Sequence, residues 1–253
     1  MAQINLKIST LLILFSIIST QTVLSQKMEI LVFSKTAGYR HDCIEDATTV
    51  LKELANEQNW LLDATEDSLA FTPGNLKKYD VVIFLQTTNN ILNNNQQEAF
   101  ENYIENGGSL VTIHSGTVTE YEWPWYEKAI GAYFTGHPPV QQGKVIIEDR
   151  NHPSTAHFPD SVWVIDDEWY SFDRNPREDV HVLMSIDENS YEVDDNRWFE
   201  GVEQRMGDHP LVWYKKVGKG RVFQTALGHE SELYLNELFQ KHLIGAIKWA
   251  GKK

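Results

Sequence analysis

From residue 28 to residue 114, short runs of β-branched and aromatic residues take turns with longer stretches whose apolar positions fall three and four apart. That alternation predicts strands and helices in succession, the pattern of a doubly wound α/β sheet. Strands are expected over residues 28–34, 60–64 and 81–85, and at Leu110-Val111-Thr112-Ile113. Val81-Val82-Ile83-Phe84-Leu85 is apolar throughout, which suits a parallel strand covered on both faces. A first helix should carry Ile44, Ala47, Val50, Leu51 and Leu54 inward, with Asp42 as its N-cap. Residues 71–76 read as a turn or short helix, and residues 95–106 as a helix with Ala99, Phe100, Tyr103 and Ile104 inward.

From Glu120 the texture changes. Residues 121–134 are dense in aromatics. Alternating segments follow at 143–148, 162–165, 180–186 and 211–216, the period of antiparallel strands. Residues 187–207 are charged and aperiodic and read as a surface loop. Gly218-Lys219-Gly220 reads as a hairpin turn, residues 221–227 as a returning strand, and residues 233–250 as a final amphipathic helix. Neither a repeat nor a linker interrupts this order, so residues 26–253 are read as one domain.

The first 25 residues are set apart. Lys7 precedes the apolar run 11–18, and Val23-Leu24-Ser25 places small residues at a cleavage site, the signature of a secretory signal peptide cut after Ser25. The run is short for a bilayer span, which needs about 20 residues. A secreted or periplasmic protein with no stable membrane span is therefore expected. Lys7 is the only charged residue removed, so the formal charge goes from −14 to −15. Such an acidic chain argues against a nucleic-acid partner. A single cysteine, Cys43, excludes an internal disulfide and reads as a small buried residue, with a reactive thiol as the alternative.

Candidate chemistry lies at strand ends. Gly107-Gly108 closes a helix, the strand 110–113 follows, and His114 stands just past its C-terminal end, the rim where open α/β sheets bind ligands. His229 holds the matching position after residues 222–227 and a glycine. Imidazole can serve there as acid, base or metal ligand. His137 sits in Gly136-His137-Pro138-Pro139, where proline restricts the backbone before it. His152 and His157 read as turn residues. After an apolar segment come Asp166-Asp167-Glu168-Trp169-Tyr170. Acids beside aromatics suit a sugar site, with carboxylates gripping hydroxyls and rings stacking on the sugar face. Asp166 reads as solvated, whereas Glu168 and Tyr170 fall on one side by alternation. Tyr39, Arg40 and His41 occupy the loop after the first strand. Arg40 either binds an anion or pairs with Glu45 or Asp46. Trp123, Trp125 and Tyr126 are candidate stacking platforms, and Trp213 reads as core. No Gly-x-Ser-x-Gly elbow, P-loop, dinucleotide fingerprint or His-Glu-x-x-His motif occurs.

As an ordered set, several segments resemble the ThuA-like, or trehalose-utilisation, family. They are residues 35–41, Gly107-Gly108 through His114-Ser115-Gly116, Trp123-Pro124-Trp125-Tyr126 with residues 130–134, His137-Pro138, Asp167-Glu168-Trp169-Tyr170, Pro210-Leu211-Val212-Trp213, and residues 218–223 leading to Gly228-His229. The resemblance covers essentially all of the chain after residue 25. It implies a flavodoxin-like fold similar to class I glutamine amidotransferases, with an antiparallel β extension. It also implies that His114 stands where an amidotransferase keeps its nucleophilic cysteine, while His229-Glu230 resembles that enzyme's histidine and acid. Imidazole is a poor acyl acceptor in place of a thiolate, so glutaminase activity is not expected.

What the resemblance implies instead is carbohydrate metabolism. The expected enzyme is a glycoside or keto-sugar hydrolase or lyase, with His114, His137, His229 and Glu168 catalytic. Tyr39, Arg40, His41, Trp123, Trp125 and Tyr170 would bind substrate. A divalent metal on His114, His137 and His229 is a variant. A non-catalytic carbohydrate-binding protein and a homo-oligomer joined through the aromatic stretch 121–134 remain as other readings.

Overall fold

The structure, a computed structural model, describes residues 27–252, so the export segment expected over residues 1–25 lies outside the described residues. The strands are β1 (Glu29–Phe33), β2 (Leu61–Thr65), β3 (Val81–Leu85), β4 (Ser109–Ile113), β5 (Phe134–Gly136), β6 (Gln141–Ile147), β7 (Val162–Asp167), β8 (Ser171–Phe172), β9 (His181–Ile186), β10 (Pro210–Val217) and β11 (Gly220–Thr225). The helices are α1 (Ile44–Glu57), α2 (Pro73–Leu76), α3 (Asn94–Glu105), α4 (Pro124–Ile130), α5 (Ser231–Tyr234) and α6 (Glu237–Ala250). Nine strands form one sheet in the order β2-β1-β3-β4-β11-β10-β9-β6-β7, and β5 pairs with β8 apart from it. The first five strands of that order run parallel. From β11 onward each neighbour is antiparallel. The architecture is the expected α/β sheet with an antiparallel extension.

Period-2 side-chain placement explains why the parallel half is apolar on both faces. Ile30, Val32, Ile83, Leu85, Val111 and Ile113 enter one core with α1 and α6. Leu31, Phe33, Val82, Phe84 and Leu110 enter a second with α3 and α4. β7 instead alternates exposed and buried residues along its whole length, one face to water.

Four local expectations change. Helix α1 starts after Cys43, and no side chain caps it, so Asp42 is not the N-cap. The final helix breaks in two, because the Asn236 side chain accepts hydrogen bonds from the N–H groups of Leu238 and Phe239 and restarts the chain as α6. The aromatic stretch contains α4, opened by Pro124 at a position where its missing N–H costs nothing. The charged segment 187–207 is anchored rather than loose. Buried Glu188 accepts from the N–H groups of Met206 and Gly207 and faces His209 Nδ1 at 2.9 Å.

Two histidines are walled into this fold. His242 on α6 has its Nδ1 3.0 Å from the Ser154 carbonyl, and His152 packs against Tyr214 and Phe223. Burial pushes His242 down to about 3 and His152 down to about 4. Both are neutral in the native state and bind protons near pH 6.5 once unfolded. Their contribution to stability is therefore complete above pH 6.5. As pH falls from there toward 4 and 3, each removes about 1.4 kcal/mol per pH unit. Urea unfolding at pH 7.5 and pH 5 should show this loss, and His242→Gln should make the dependence shallower. An unchanged slope in that variant would refute the assignment.

Candidate functional site

The site forms where the parallel strands end. His114 follows β4 with φ 54° and ψ −105°, a left-handed backbone that few side chains adopt and that costs on the order of 1–3 kcal/mol. Two bonds hold it there. Its N–H donates to the Thr225 carbonyl at 2.8 Å, and its ring Nδ1 meets the Ala226 carbonyl at 2.7 Å. A carbonyl can only accept, so Nδ1 carries a proton, and in the neutral ring Nε2 is a bare lone pair. The next turn closes over the strand so tightly that a Cβ on Gly116 would lie 2.4 Å from Thr112 Cβ. Gln86, after β3, shares the left-handed geometry with φ 55°. Its amide donates to the Gly228 carbonyl at 2.6 Å and lies 3.2 Å from the Cys43 sulfur. Cys43 is thus buried, as expected, and burial pushes its thiol up to about 12.

Gly228, at φ 115°, turns the chain after β11 and delivers His229. Asp167, the last residue of β7, fastens this turn. Its carboxylate accepts from Gly228 N–H at 2.8 Å, His229 N–H at 3.0 Å and Glu168 N–H at 3.0 Å. Burial pushes the Asp167 carboxyl up, against the pull of His114 and these three N–H groups. On a flat sheet β7 would lie four strand spacings, about 19 Å, from β11. The contact requires the sheet to curl and the segment after β11 to reach toward the end of β7.

Glu168 is the centre of the cluster. Its Oε2 lies 3.3 Å from His114 Nε2 and 3.2 Å from His229 Nδ1, and its Oε1 lies 3.0 Å from His137 Nδ1. His114 Nε2 and His229 Nδ1 are 3.3 Å apart. Burial works against the Glu168 carboxylate, but the surrounding imidazoles of His114, His137 and His229 outweigh it and hold its pKa far below the usual range. Burial likewise depresses His229, and the Glu168, Asp167 and Glu230 carboxylates overcome it, so its pKa is raised. His41 packs edge-on to both partners, with ring centroids 5.0 Å from His114 and 5.2 Å from His229. Burial first, then the neighbouring imidazoles, pushes His41 down to about 2. One atom each from His41, His114, Glu168 and His229 falls within 4.8 Å of the others, a set able to hold a metal ion.

A cavity of about 520 Å³ opens above the cluster. His41, His137, Glu168 and His229 reach it, and Tyr39, Phe134, Tyr170, Trp198 and Phe199 supply aromatic walls. A second hollow of about 460 Å³, at the N-terminal ends of β3 and β4, contains no histidine or glutamate.

The structure therefore brings together His41, His114, His137, Glu168, His229, Tyr39 and Tyr170. It leaves out three residues expected to touch substrate. Arg40 turns to solvent, at 2.7 Å from Glu45 and 2.9 Å from Glu66. Trp123 and Trp125 stack on each other at 4.9 Å, and Trp123 continues onto Tyr126 at 5.8 Å in the core beside α4. Much of the aromatic stretch is thus spent inside the chain. His152 and His157 stay away from the site. Three features were missed. Asp167 was legible, since the alternation of Trp163 and Ile165 continues to it. Trp198 and Phe199 stood out only as an aromatic pair in a charged segment. For the depth at which His41 lies there was no signal.

Comparison with known proteins agrees with this fold. A family model described as trehalose utilisation matches residues 29–250. A ThuA-like protein from Bacteroides uniformis is similar at 25% identity and TM-score 0.72, covering 92% of this chain and 94% of that one. Another, from Parabacteroides merdae, has 18% identity and TM-score 0.70, covering 90% and 91%. The fold also resembles part of a β-galactosidase from Bacillus circulans, at 14% identity and TM-score 0.54, covering 87% of this chain and 30% of that one. Among curated proteins none matches the chain.

Proposed function

Since the chain belongs to the ThuA, or trehalose-utilisation, family, we propose that it processes a carbohydrate, a glycoside or keto-sugar, by acid–base chemistry in the cavity over Glu168. The observation that carries this reading is the convergence of three imidazoles on one buried carboxylate beneath aromatic walls. Aromatic faces suit the apolar faces of a sugar ring. His137 is the base. Its Nδ1 lies between the Pro138 carbonyl, at 2.9 Å, and Glu168 Oε1, so the proton sits there and Nε2 is free. Glu168 fixes that tautomer, as a carboxylate does behind a catalytic histidine.

On a keto-glycoside the ketone acidifies the neighbouring C–H, and His137 removes that proton. The electron pair forms the enolate and then the carbon–carbon double bond as the C–O bond β to the carbonyl breaks. His229 gives its own proton to the departing oxygen, leaving an unsaturated ketone and a free alcohol. Addition of water across the new double bond completes a hydrolysis: OH joins the carbon that held the departing oxygen, His137 returns its proton to the neighbouring carbon, and the water's remaining proton goes to His229.

Purified protein given 3-keto-glycosides should release the alcohol, and His137→Gln should lower kcat by about 10² to 10⁴ with a smaller change in KM. Activity that survives His114→Ala and His229→Ala together would overturn these roles. The exposed Trp198 and the aromatic walls also favour a second reading, a non-catalytic sugar-binding protein. Sugar binding without turnover of any keto-glycoside would favour it.

A further inference from the structure

We propose that His41, His114, His229 and Glu168 form a binding centre for a divalent transition metal of the zinc type. This goes beyond the carbohydrate reading, since the ion binds or fails to bind whatever the substrate.

The argument begins with hydrogens. In a neutral His114, Nε2 has no proton, because Nδ1 gives the only one to Ala226. It nevertheless faces Glu168 Oε2 at 3.3 Å, so two lone pairs oppose each other with no proton between them. His229 Nδ1 lies 3.3 Å from the first and 3.2 Å from the second, and its one proton can point well at only one of them. Two acceptors and a single N–H thus converge on one point, and that proton cannot serve both. His41 adds to the shortage, since its buried Nδ1 has no hydrogen-bond partner among the described residues.

A single cation answers all of these groups. Zn–N and Zn–O bonds of about 2.0–2.1 Å in a tetrahedron place neighbouring ligand atoms about 3.3–3.4 Å apart. The three measured edges are 3.2, 3.3 and 3.3 Å. His41 supplies the fourth group, with a ligand atom within 4.8 Å of the other three. Three imidazoles and one carboxylate select zinc, cobalt or nickel over magnesium and calcium, which take oxygen ligands. The Ala226 carbonyl on His114 Nδ1 is the outer partner that fixes a metal-binding tautomer. His137 stands outside the centre. It bonds Oε1, the other oxygen of Glu168, and stays available to the cavity.

Protein stripped with a chelator and dialysed against Zn(II) should take up close to one ion per chain by elemental analysis. Co(II) in its place should give the strong visible bands of a four-coordinate site. His114→Ala and His229→Ala together should abolish stoichiometric zinc uptake, whereas His137→Gln, which removes only a partner of Glu168, should keep close to one ion per chain. Circular dichroism of the metal-free variants separates loss of a ligand from loss of fold. If a variant unfolds, the wild-type stoichiometry and cobalt spectrum decide. Wild-type protein that takes up no zinc, or uptake unaffected by both alanine changes together, overturns the centre. Zinc bound without any sugar turnover overturns only the carbohydrate chemistry, and turnover by protein that binds no zinc overturns only the centre.

Discussion

Asp167→Ala is expected to lower folding stability by about 3–5 kcal/mol, more than a surface change, which stays within about 0.5 kcal/mol. The carboxylate is fully buried and accepts three backbone N–H groups, those of Glu168, Gly228 and His229. Alanine leaves these donors unpaired where little water reaches, at about 1–3 kcal/mol each before relaxation. For a chain of this size the melting temperature should fall by about 10 °C. Asp167→Asn keeps an acceptor oxygen and should cost less. Urea and thermal unfolding measure both variants, and an Asp167→Ala protein within about 0.5 kcal/mol of wild type would show that the turn stands without its fastener.

Glu168→Gln should do the reverse, sparing the fold and removing the chemistry. Only the side chain of Glu168 enters the cluster, and the neighbouring backbone is fastened by Asp167 rather than by it. The amide keeps the volume but loses the charge, and it offers one acceptor oxygen where the carboxylate offers two. His137 and His229 face different oxygens, so one of them loses its acceptor. A fall of about 10³ in kcat/KM on the best keto-glycoside, near 4 kcal/mol of transition-state stabilisation, is expected with a melting temperature close to wild type. Steady-state kinetics beside a thermal melt is the check, and unchanged kinetics would remove Glu168 from the mechanism.

The strand ends were readable because two independent signals coincided there. Continuous apolar runs located β3 and β4, and a histidine placed just past an apolar run marked the rim at His114 and, after Gly228, at His229. Trp123 and Trp125 were misread because an aromatic residue carries the same sequence signal in a core as on a sugar platform. Only packing separates the two. Arg40 was ambiguous for a similar reason, and Glu66, its second partner, is 26 residues away. Asp167 and Glu168 are adjacent acids with opposite duties, one fastening backbone and one gathering imidazoles, and only the end of strand β7 between them divides the roles.

The curl of the sheet has a consequence for how this protein matures. Glu168 follows β7 at one edge of the nine-stranded sheet, whereas His114 and His229 follow the central strands β4 and β11. A folding chain that has built only its parallel half holds imidazoles without their carboxylate. One that has built only the outer strands holds the carboxylate with only His137 beside it. Any ligand that needs both the imidazoles and the carboxylate therefore grips the closed sheet more tightly than either half-built form and stabilises it by mass action. It secures the finished molecule more than it templates its assembly.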